Sequence, residues 1–372
     1  MSLEFSFPQD LNDLQERARS VAEKGVKEFG SYPDSWINGY SKEFSKVLAS
    51  EGWLGMTWPK EHGGGGRPGI ERMIVAEEMI RVGAPIAASW IADRQMGPSI
   101  CNYGTEDQQK RFLPGMLSGE TTWCIGMSEP NSGSDLASLT TSAERDGNDF
   151  IINGQKIWTS LAAISDYCYL IVRTEKDGPP HKGLSEIIVP MNQEGIEIRT
   201  IVDSVNNQHF CEIFFTDVRV SENNLVGEEN RAFAQTMSQL ENERGGIDRL
   251  MSNRPLYDEA CKVADKSDPL IRQEIAKLEI GYRLGRLLVY QGAIGQLPSG
   301  FSAGTKCFCT EHEQRVSDFA ARVLGPKAQA GTSLAEAICY APAYTIQGGT
   351  SDIMRNILGE RVLGLPREPR IK

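Results

Sequence analysis

The spacing of apolar residues changes twice along this chain of 372 residues, and that change limits the fold more than any other feature. Up to about residue 122, apolar residues recur at three- and four-residue steps, which is typical of helices. Short β-type segments follow, and helical spacing returns after Gly227. The pattern predicts an α+β protein with an N-terminal helical domain over 1–122, a middle β-domain over 123–227 and a C-terminal helical bundle over 228–372.

Local signals predict individual elements in the middle and C-terminal regions. Asn153-Gly154 lies between two apolar segments and both residues tolerate positive φ, so the pair predicts a two-residue hairpin turn. Asp268-Pro269 predicts the start of a long helix. Further elements are predicted as strands at Tyr167–Arg173, Ser185–Pro190 and Cys211–Phe215, and as a helix at Thr305–Leu324.

The charge and the chain start argue against several classes of protein. A formal net charge of −11 disfavours nucleic acid and an anionic membrane surface as partners, so an anionic ligand needs locally basic or backbone N–H contacts. No run of about 18 or more apolar residues is present, so no membrane span is predicted. The first six residues lack the basic start and apolar core of a signal peptide. We therefore expect a cytoplasmic protein.

Metal-binding and nucleotide-binding patterns are weak in this sequence. The eight cysteines and four histidines are scattered, so reduced thiols are expected rather than a structural zinc site. Gly63–Gly66 is not followed by Gly-Lys-Ser/Thr, which favours a flexible loop over a phosphate-binding loop. The helical, β, helical order differs from a βαβ nucleotide-binding pattern, so any nucleotide cofactor must be held in another way.

Two segments of the middle region contain candidate binding residues. The segment Ile125–Asp135 is rich in small and hydroxylated residues, whose backbone N–H groups and hydroxyls suit an anionic or hydrogen-bonding ligand. An ordinary surface loop has the same composition. Trp158 and Ser160 are two residues apart, so they are predicted to share one face of a strand. A tryptophan there is either part of the core or a platform for a cofactor.

Taken together, the motifs resemble those of the acyl-CoA dehydrogenase family. The resemblance runs in order over about residues 5 to 365. It rests on Ser128-Glu129-Pro130, Gly133-Ser134-Asp135, Asn153–Ser160, Phe215–Val220, Asn224–Gly227 and Gly348-Gly349-Thr350. It implies an N-terminal helical domain, a middle β-barrel or sandwich domain and a C-terminal four-helix bundle.

The resemblance also implies a bound FAD and an acyl-CoA substrate. Trp158 would stack on the flavin ring, Ser160 would reach its N5 region, and Ser134 would contact the flavin or the CoA. Thr350 and Asp352 follow two glycines at a predicted helix start, which suits a polar or anionic group. The residues expected to bind FAD are Ile125, Met127, Ser128, Gly133, Ser134, Trp158, Thr159, Ser160, Thr350 and Asp352, and those expected to bind substrate are Ser134, Glu241 and Arg244.

Oxidation of the Cα–Cβ bond needs a base that takes the α-proton while the β-hydrogen leaves as hydride to flavin N5. The family places a glutamate either before the Gly of the terminal Gly-Thr motif, which is Gly348 here, or on an early C-terminal helix, which matches Glu243-Arg244. Glu243 also falls on one predicted helical stripe with the apolar residues Phe233, Met237, Leu240, Ile247 and Leu250. Apolar surroundings raise a carboxyl pKa, which suits a base. The alternative is that Glu243 only pairs with an arginine inside the bundle.

Two elements that hold flavin across a subunit interface in homotetrameric members are missing. Ala264–Pro269 stands in the region of an Arg-x-x-Phe-Gly motif, and Arg322–Pro326 stands where those members have Gln followed by Gly-Gly-x-Gly. The chain is more similar to bacterial α2β2 members that end in Leu-Gly-Leu-Pro-Arg, as at Leu363–Arg367. The implied partner is a paralogous subunit that completes the flavin site, unless a homo-oligomer uses Arg272 or Arg315 instead.

The expected function is FAD-dependent α,β-dehydrogenation of an acyl-CoA, with Glu243 as base and an electron-transfer flavoprotein as electron acceptor. Small residues at Gly245, Gly246 and Gly348 indicate a bulky, steroid-like acyl group. Two other functions stay open. The first is a non-catalytic or flavin-site-completing subunit of a heteromer. The second is a flavin oxidase or monooxygenase on the same fold.

Overall fold

The computed structural model describes residues 7–329 and 331–367, without the side chains of residues 241–243. The backbone divides into two compact units. The helical unit consists of Met1–Tyr40, Arg67–Ile86 and Glu241–Lys372. The sheet unit consists of Ser41–Gly66 and Ala87–Leu240.

The secondary structure confirms the predicted α+β class. The helices are α1 (Gln9–Phe29), α2 (Lys42–Ser50), α3 (Gly69–Arg81), α4 (Ala87–Ile91), α5 (Gly97–Tyr103), α6 (Glu106–Leu117), α7 (Ala232–Arg244), α8 (Asp248–Met251), α9 (Arg254–Val263), α10 (Pro269–Ala293), α11 (Ser302–Leu324), α12 (Ser333–Tyr340) and α13 (Ser351–Ile357). The strands are β1 (Trp123–Gly126), β2 (Ser142–Asp146), β3 (Asp149–Ser160), β4 (Tyr167–Arg173), β5 (Leu184–Pro190), β6 (Ile196–Ile201), β7 (Phe210–Ser221) and β8 (Leu225–Val226). Among the described helices, none is long and apolar enough to cross a membrane.

The strands of the sheet unit form one mixed sheet in the order β6-β7-β3-β2-β4-β5-β8, and β1 pairs in parallel with β4. Successive side chains of a strand point to opposite faces, so β4 supplies different parts of the core from alternate positions. Cys168, Leu170 and Val172 pack in one apolar cluster with residues of β3, β5 and β7. Tyr169 packs in another with residues of α5 and α6. Both faces of β4 are therefore covered, which explains its continuous run of buried residues.

The predicted hairpin turn at Asn153-Gly154 is wrong. Strand β3 continues through both residues, and the turn that joins it to β2 lies at Gly147 and Asn148. Between the pairs Ile152↔Val218 and Gly154↔Phe215, two residues of β7 face one residue of β3, so β7 bulges next to Gly154, whose φ is +146°. A glycine that permits an unusual φ serves the strand beside a β-bulge as readily as a turn. The long-range pairing with β7 decides between the two, and that pairing is not visible in the local sequence.

In the helical unit, the predicted start of the long helix is confirmed. The Asp268 carboxylate accepts a hydrogen bond from the Leu270 N–H at 2.8 Å, and Pro269 occupies the first turn of α10. Buried side chains on α10 include Leu278, Tyr282 and Val289. The helix predicted from Thr305 begins slightly earlier, at Ser302 in α11.

The prediction that one helix carries a continuous stripe from Phe233 to Leu250 is also wrong. Helix α7 ends at Arg244 and α8 begins at Asp248, with Gly245 and Gly246 between them. Glycine weakens helices and allows the chain to change direction there.

Candidate active site

The segment after β1 forms a compact loop that leaves two predicted FAD-binding residues exposed. Glu129 and Ser132 exchange two backbone hydrogen bonds, at 2.8 and 3.0 Å, which closes a turn over the residues between them. The Ser132 hydroxyl donates to the Asp135 carbonyl at 2.8 Å. Gly133 and Ser134 lie at the exposed tip of this loop. Their backbone and hydroxyl groups are therefore open to a ligand.

This loop is joined directly to β3. The Ile157 N–H donates to the Ser128 carbonyl at 2.9 Å. The Lys156 ammonium donates to the Met127 carbonyl at 3.1 Å and to the Glu129 carboxylate at 2.9 Å. The structure thus brings Met127 and Ser128 next to the strand that carries Trp158, Thr159 and Ser160.

Glu129 and Lys156 are both charged at neutral pH. Burial raises the pKa of the Glu129 carboxyl, but the Lys156 charge and hydrogen bonds from Thr141, Lys156 and Thr140 outweigh it and hold that pKa at about 2. Burial lowers the pKa of Lys156 to about 8, against the opposing attraction of Glu129. The two charges form an ion pair with 0% and 5% of the side chains exposed.

Trp158 occupies a bulge in β3. Between the pairs Lys156↔Ile213 and Thr159↔Cys211, two residues of β3 face one residue of β7. Trp158 takes φ +62°, and 56% of its surface is exposed. The ring touches Phe210 only edge-on, with centroids 5.8 Å apart. A large aromatic side chain held outward by an unfavourable backbone conformation is typical of a binding site.

Thr159 and Ser160 follow Trp158 at the C-terminal end of β3. Thr159 is 2% exposed, and its hydroxyl has no hydrogen-bond partner among the described residues. A buried hydroxyl without a partner costs free energy, so a ligand that supplies one would be stabilised there. Ser160 ends β3 and is partly buried.

A second group of predicted site residues lies within the helical unit. The Arg244 guanidinium, at the end of α7, donates from Nε to the Gly348 carbonyl at 3.4 Å. The Lys306 ammonium donates to the Gly349 carbonyl at 2.8 Å. Both glycines have positive φ, at +65° and +90°, which an L-residue rarely adopts. The turn at Gly348 and Gly349 is therefore fixed by two cationic side chains.

Thr350 and Asp352 follow this turn at the start of α13. The Thr350 hydroxyl accepts a hydrogen bond from the Ile353 N–H at 3.2 Å, which caps the helix. The Asp352 side chain is 97% exposed. Its carboxylate therefore stays accessible, while the Thr350 hydroxyl is engaged in the cap.

Three family models cover nearly the whole chain. The N-terminal domain of acyl-CoA dehydrogenases matches residues 8–120, the middle domain residues 124–218, and the C-terminal domain residues 230–363. This chain belongs to the acyl-CoA dehydrogenase family. The resemblance drawn from its motifs is confirmed.

Similar proteins include named acyl-CoA dehydrogenases, one of which is a solved steroid ACAD. Acyl-CoA dehydrogenase IpdE1 of Mycobacterium tuberculosis is 36% identical over 348 residues, which span 88% of this chain and 89% of the relative. The solved Tcur3481-Tcur3483 steroid ACAD has a TM-score of 0.87 at 30% identity and covers 98% of this chain and 100% of its own. The ChsE4-ChsE5 complex of Mycobacterium tuberculosis has a TM-score of 0.86 at 30% identity, covering 99% and 100%.

Two predicted site residues of this acyl-CoA dehydrogenase are not described in full. Glu241 and Glu243 lie in α7, and their side chains are outside the described residues. Sequence reasoning missed the supporting roles of Glu129, Lys156 and Lys306. The first two stand inside quoted family motifs, so their position was available as a signal. Lys306 carries no comparable signal, because its partner Gly349 is 43 residues away.

Proposed function

We propose that this acyl-CoA dehydrogenase uses FAD to desaturate the Cα–Cβ bond of a bulky acyl-CoA thioester, with Glu243 as the base. The observation that carries the proposal is the hydrogen bond from Arg244 to the Gly348 carbonyl. Glu243 is the neighbour of Arg244, and Gly348 stands where most family members have their glutamate. The two family positions for the base thus meet within one unit, which supports replacement of one by the other.

The residues of the sheet unit fit FAD. The exposed face of Trp158 offers a flat apolar surface for an aromatic ring system. The unpartnered Thr159 hydroxyl offers a hydrogen bond, and the exposed loop at Gly133 and Ser134 offers N–H and hydroxyl groups. Ile125, Met127, Ser128 and Ser160 are proposed to complete this surface. The chemistry that FAD supplies when bound is acceptance of the hydride from the β-carbon of the substrate.

The base itself has one task, which is to hold and remove the α-proton of the thioester. Arg244 would keep the end of α7 at the Gly348 turn, so that position 243 is fixed relative to that turn. Glu241, Arg244 and Ser134 are proposed to bind the substrate. Thr350 and Asp352 are proposed to contact the cofactor from the start of α13. An electron-transfer flavoprotein is proposed as acceptor on the family resemblance alone.

Space near the proposed base supports a bulky acyl group. Among the side chains that the structure describes, a Cβ atom added to Gly245 would come within 4 Å of Ser302 Cβ alone, at 3.8 Å. One solved relative, at 30% identity, is named a steroid ACAD, and this likeness supports a related polycyclic acyl group as substrate. Straight-chain butyryl- or octanoyl-CoA should therefore be a poorer substrate than a polycyclic side-chain thioester.

A paralogous subunit is proposed as the partner. Helix α10 presents an exposed apolar face formed by Ile280, Leu284 and Leu287, which lie one or two turns apart. Between 47% and 54% of the surface of each residue is exposed. The region without the arginine motif offers little positive charge, because Lys266 lies between Asp265 and Asp268. Arg272, one of the two alternative arginines beside Arg315, donates to the Lys266 and Ser267 carbonyls at 2.8 and 2.9 Å.

The test combines flavin content with substrate reduction. The chain is purified alone and after co-expression with a paralogous acyl-CoA dehydrogenase subunit, and FAD per protomer is measured in each. Anaerobic addition of acyl-CoA thioesters should then bleach the flavin absorbance of the complex, most strongly with a polycyclic acyl group. Tightly bound stoichiometric FAD and full activity in the lone chain would contradict the heteromer. Oxygen consumption without acyl-CoA would contradict dehydrogenation.

A further inference from the structure

A buried ion pair supports the loop that carries the proposed FAD-binding residues. Lys156 and Glu129 are both almost fully buried, with Nζ and Oε1 2.9 Å apart. Lys156 lies two residues before Trp158 on β3, and Glu129 directly follows Ser128. Neither is among the residues assigned to FAD or substrate. The pair therefore stands between the two parts of the proposed flavin surface without belonging to either.

The pair controls the backbone on both sides of the loop. Lys156 also donates to the Met127 carbonyl at 3.1 Å. The Glu129 carboxylate accepts from the Thr140 N–H and hydroxyl at 2.7 and 2.8 Å, and from the Thr141 N–H at 2.8 Å. Separating a buried ion pair leaves an uncompensated charge in the low-dielectric protein interior, which is strongly unfavourable. The loop is therefore held against β3 as long as both groups are charged.

We propose that Glu129 and Lys156 are positioning residues that fix the shape of the loop Met127–Ser134 for FAD. The inference rests on the proposed function. A preformed loop spares the binding reaction the conformational entropy of ordering it. The loop has few apolar anchors of its own, because Gly133 and Ser134 are exposed and Met127 is only partly buried. Loss of the pair should therefore lower the affinity for FAD and have a smaller effect on the thermal stability of the apoprotein.

The charge of Lys156 gives a second way to test the pair. The titratable and charged groups that influence the Lys156 ammonium include Glu129 from the loop and Cys168 and Arg173 from β4. Burial lowers the pKa of Lys156 to about 8, so the ammonium loses its proton within an accessible range. FAD affinity should therefore fall between pH 7 and pH 9, with a midpoint near pH 8. If the two side chains contributed only apolar contacts to folding, the FAD affinity would not change over this pH range.

The experiment measures the FAD dissociation constant of the full chain, with its co-expressed partner, by quenching of flavin fluorescence. Glu129→Gln is compared with Phe150→Ala, because Phe150 is fully buried on β3 and has no part in the loop contacts. Without this charge-assisted contact, FAD binding must also order the loop, which predicts a loss of FAD affinity of at least several-fold and up to roughly 150-fold for Glu129→Gln. Phe150→Ala should lower the Tm of the apoprotein as much or more, yet change FAD affinity only a few-fold.

Each outcome decides the inference. Equal losses of FAD affinity in the two variants at equal losses of Tm would assign the pair to stability alone. If the unmodified complex binds FAD and Glu129→Gln binds it equally well, only the positioning role fails. If the unmodified chain binds no FAD with or without its partner, the proposed function fails too. If Glu129→Gln does not fold, the pH titration of the unmodified protein decides, and constant affinity from pH 7 to 9 overturns the inference.

Discussion

Asp34 should give the stability of the helical unit an unusual dependence on pH. Its carboxyl is 2% exposed and accepts a hydrogen bond from the Tyr344 hydroxyl. Burial raises the pKa of Asp34 to about 7, although hydrogen bonds from Tyr344 and Ser252 oppose the change. The buried Glu313 carboxyl is close enough to interact electrostatically with it, and burial also raises the pKa of Glu313. The folded chain therefore holds protons that the unfolded chain releases.

The magnitude follows from the size of the shift. The Asp34 pKa lies about three units above its ordinary value of 3.8, and each unit corresponds to about 1.36 kcal/mol. Ionisation of Asp34 therefore takes nothing from the free energy of unfolding below about pH 4. The free energy declines as the pH rises and is lower by up to about 4 kcal/mol above pH 7. Asp34→Asn removes this loss, because the amide stays neutral and keeps an oxygen that accepts from Tyr344.

Urea unfolding followed by circular dichroism at pH 5 and pH 8 provides the assay. Asp34→Asn should resemble the unmodified protein most closely at pH 5 and exceed its free energy of unfolding at pH 8. Asp318→Asn is the matched control, because Asp318 is an exposed carboxylate on α11. Any pH dependence left in Asp34→Asn should fall further in Asp34→Asn/Glu313→Gln. The reasoning is refuted if Asp34→Asn and the unmodified protein differ equally at both pH values.

Two further predictions concern the bulge and the partner surface. Gly154→Ala should lower the Tm more than Gly147→Ala, because the new Cβ at position 154 would lie 2.6 Å from Thr141 Cα. A Cβ at Gly147 would meet no described atom within 4 Å, so Gly147→Ala should cost only the strain of an alanine at φ +64°, about 1–2 kcal/mol. Equal losses in thermal denaturation would contradict the close approach. Leu284→Asp should reduce assembly in light scattering, while Ile164→Asp, at an exposed apolar position of the sheet unit, should not. Unchanged assembly would exclude the α10 face.

Local chemistry explains which features were predictable from the sequence. The start of α10 follows from Asp268 and Pro269, since a capping side chain and a fixed φ act within one turn. The family motifs likewise identified Trp158, but not the bulge that exposes it. That bulge depends on pairing with β7, whose residues are more than 50 positions away. Local patterns cannot encode such a register.

The buried face of α7 shows the same limit. The sequence favoured a face with Phe233 and Met237, yet these are only partly buried, while Gln235 and Thr236 are buried. Both donate to the Glu186 carboxylate of β5, at 2.9 and 2.6 Å. Burial of polar side chains is favourable only with such partners. A partner on a distant strand cannot be read from helical periodicity.

The central claim is that Glu243 removes the α-proton, and steady-state turnover of Glu243→Gln with a polycyclic acyl-CoA tests it most directly. Glu241→Gln, two residues away on α7, is the matched control. The account predicts that Glu243→Gln keeps its FAD and its substrate affinity but loses about 10²–10⁴-fold in kcat. Glu241→Gln should act mainly on KM, because it is proposed to bind substrate. Near-normal kcat in Glu243→Gln, or an equal loss of kcat in Glu241→Gln, would contradict the assignment.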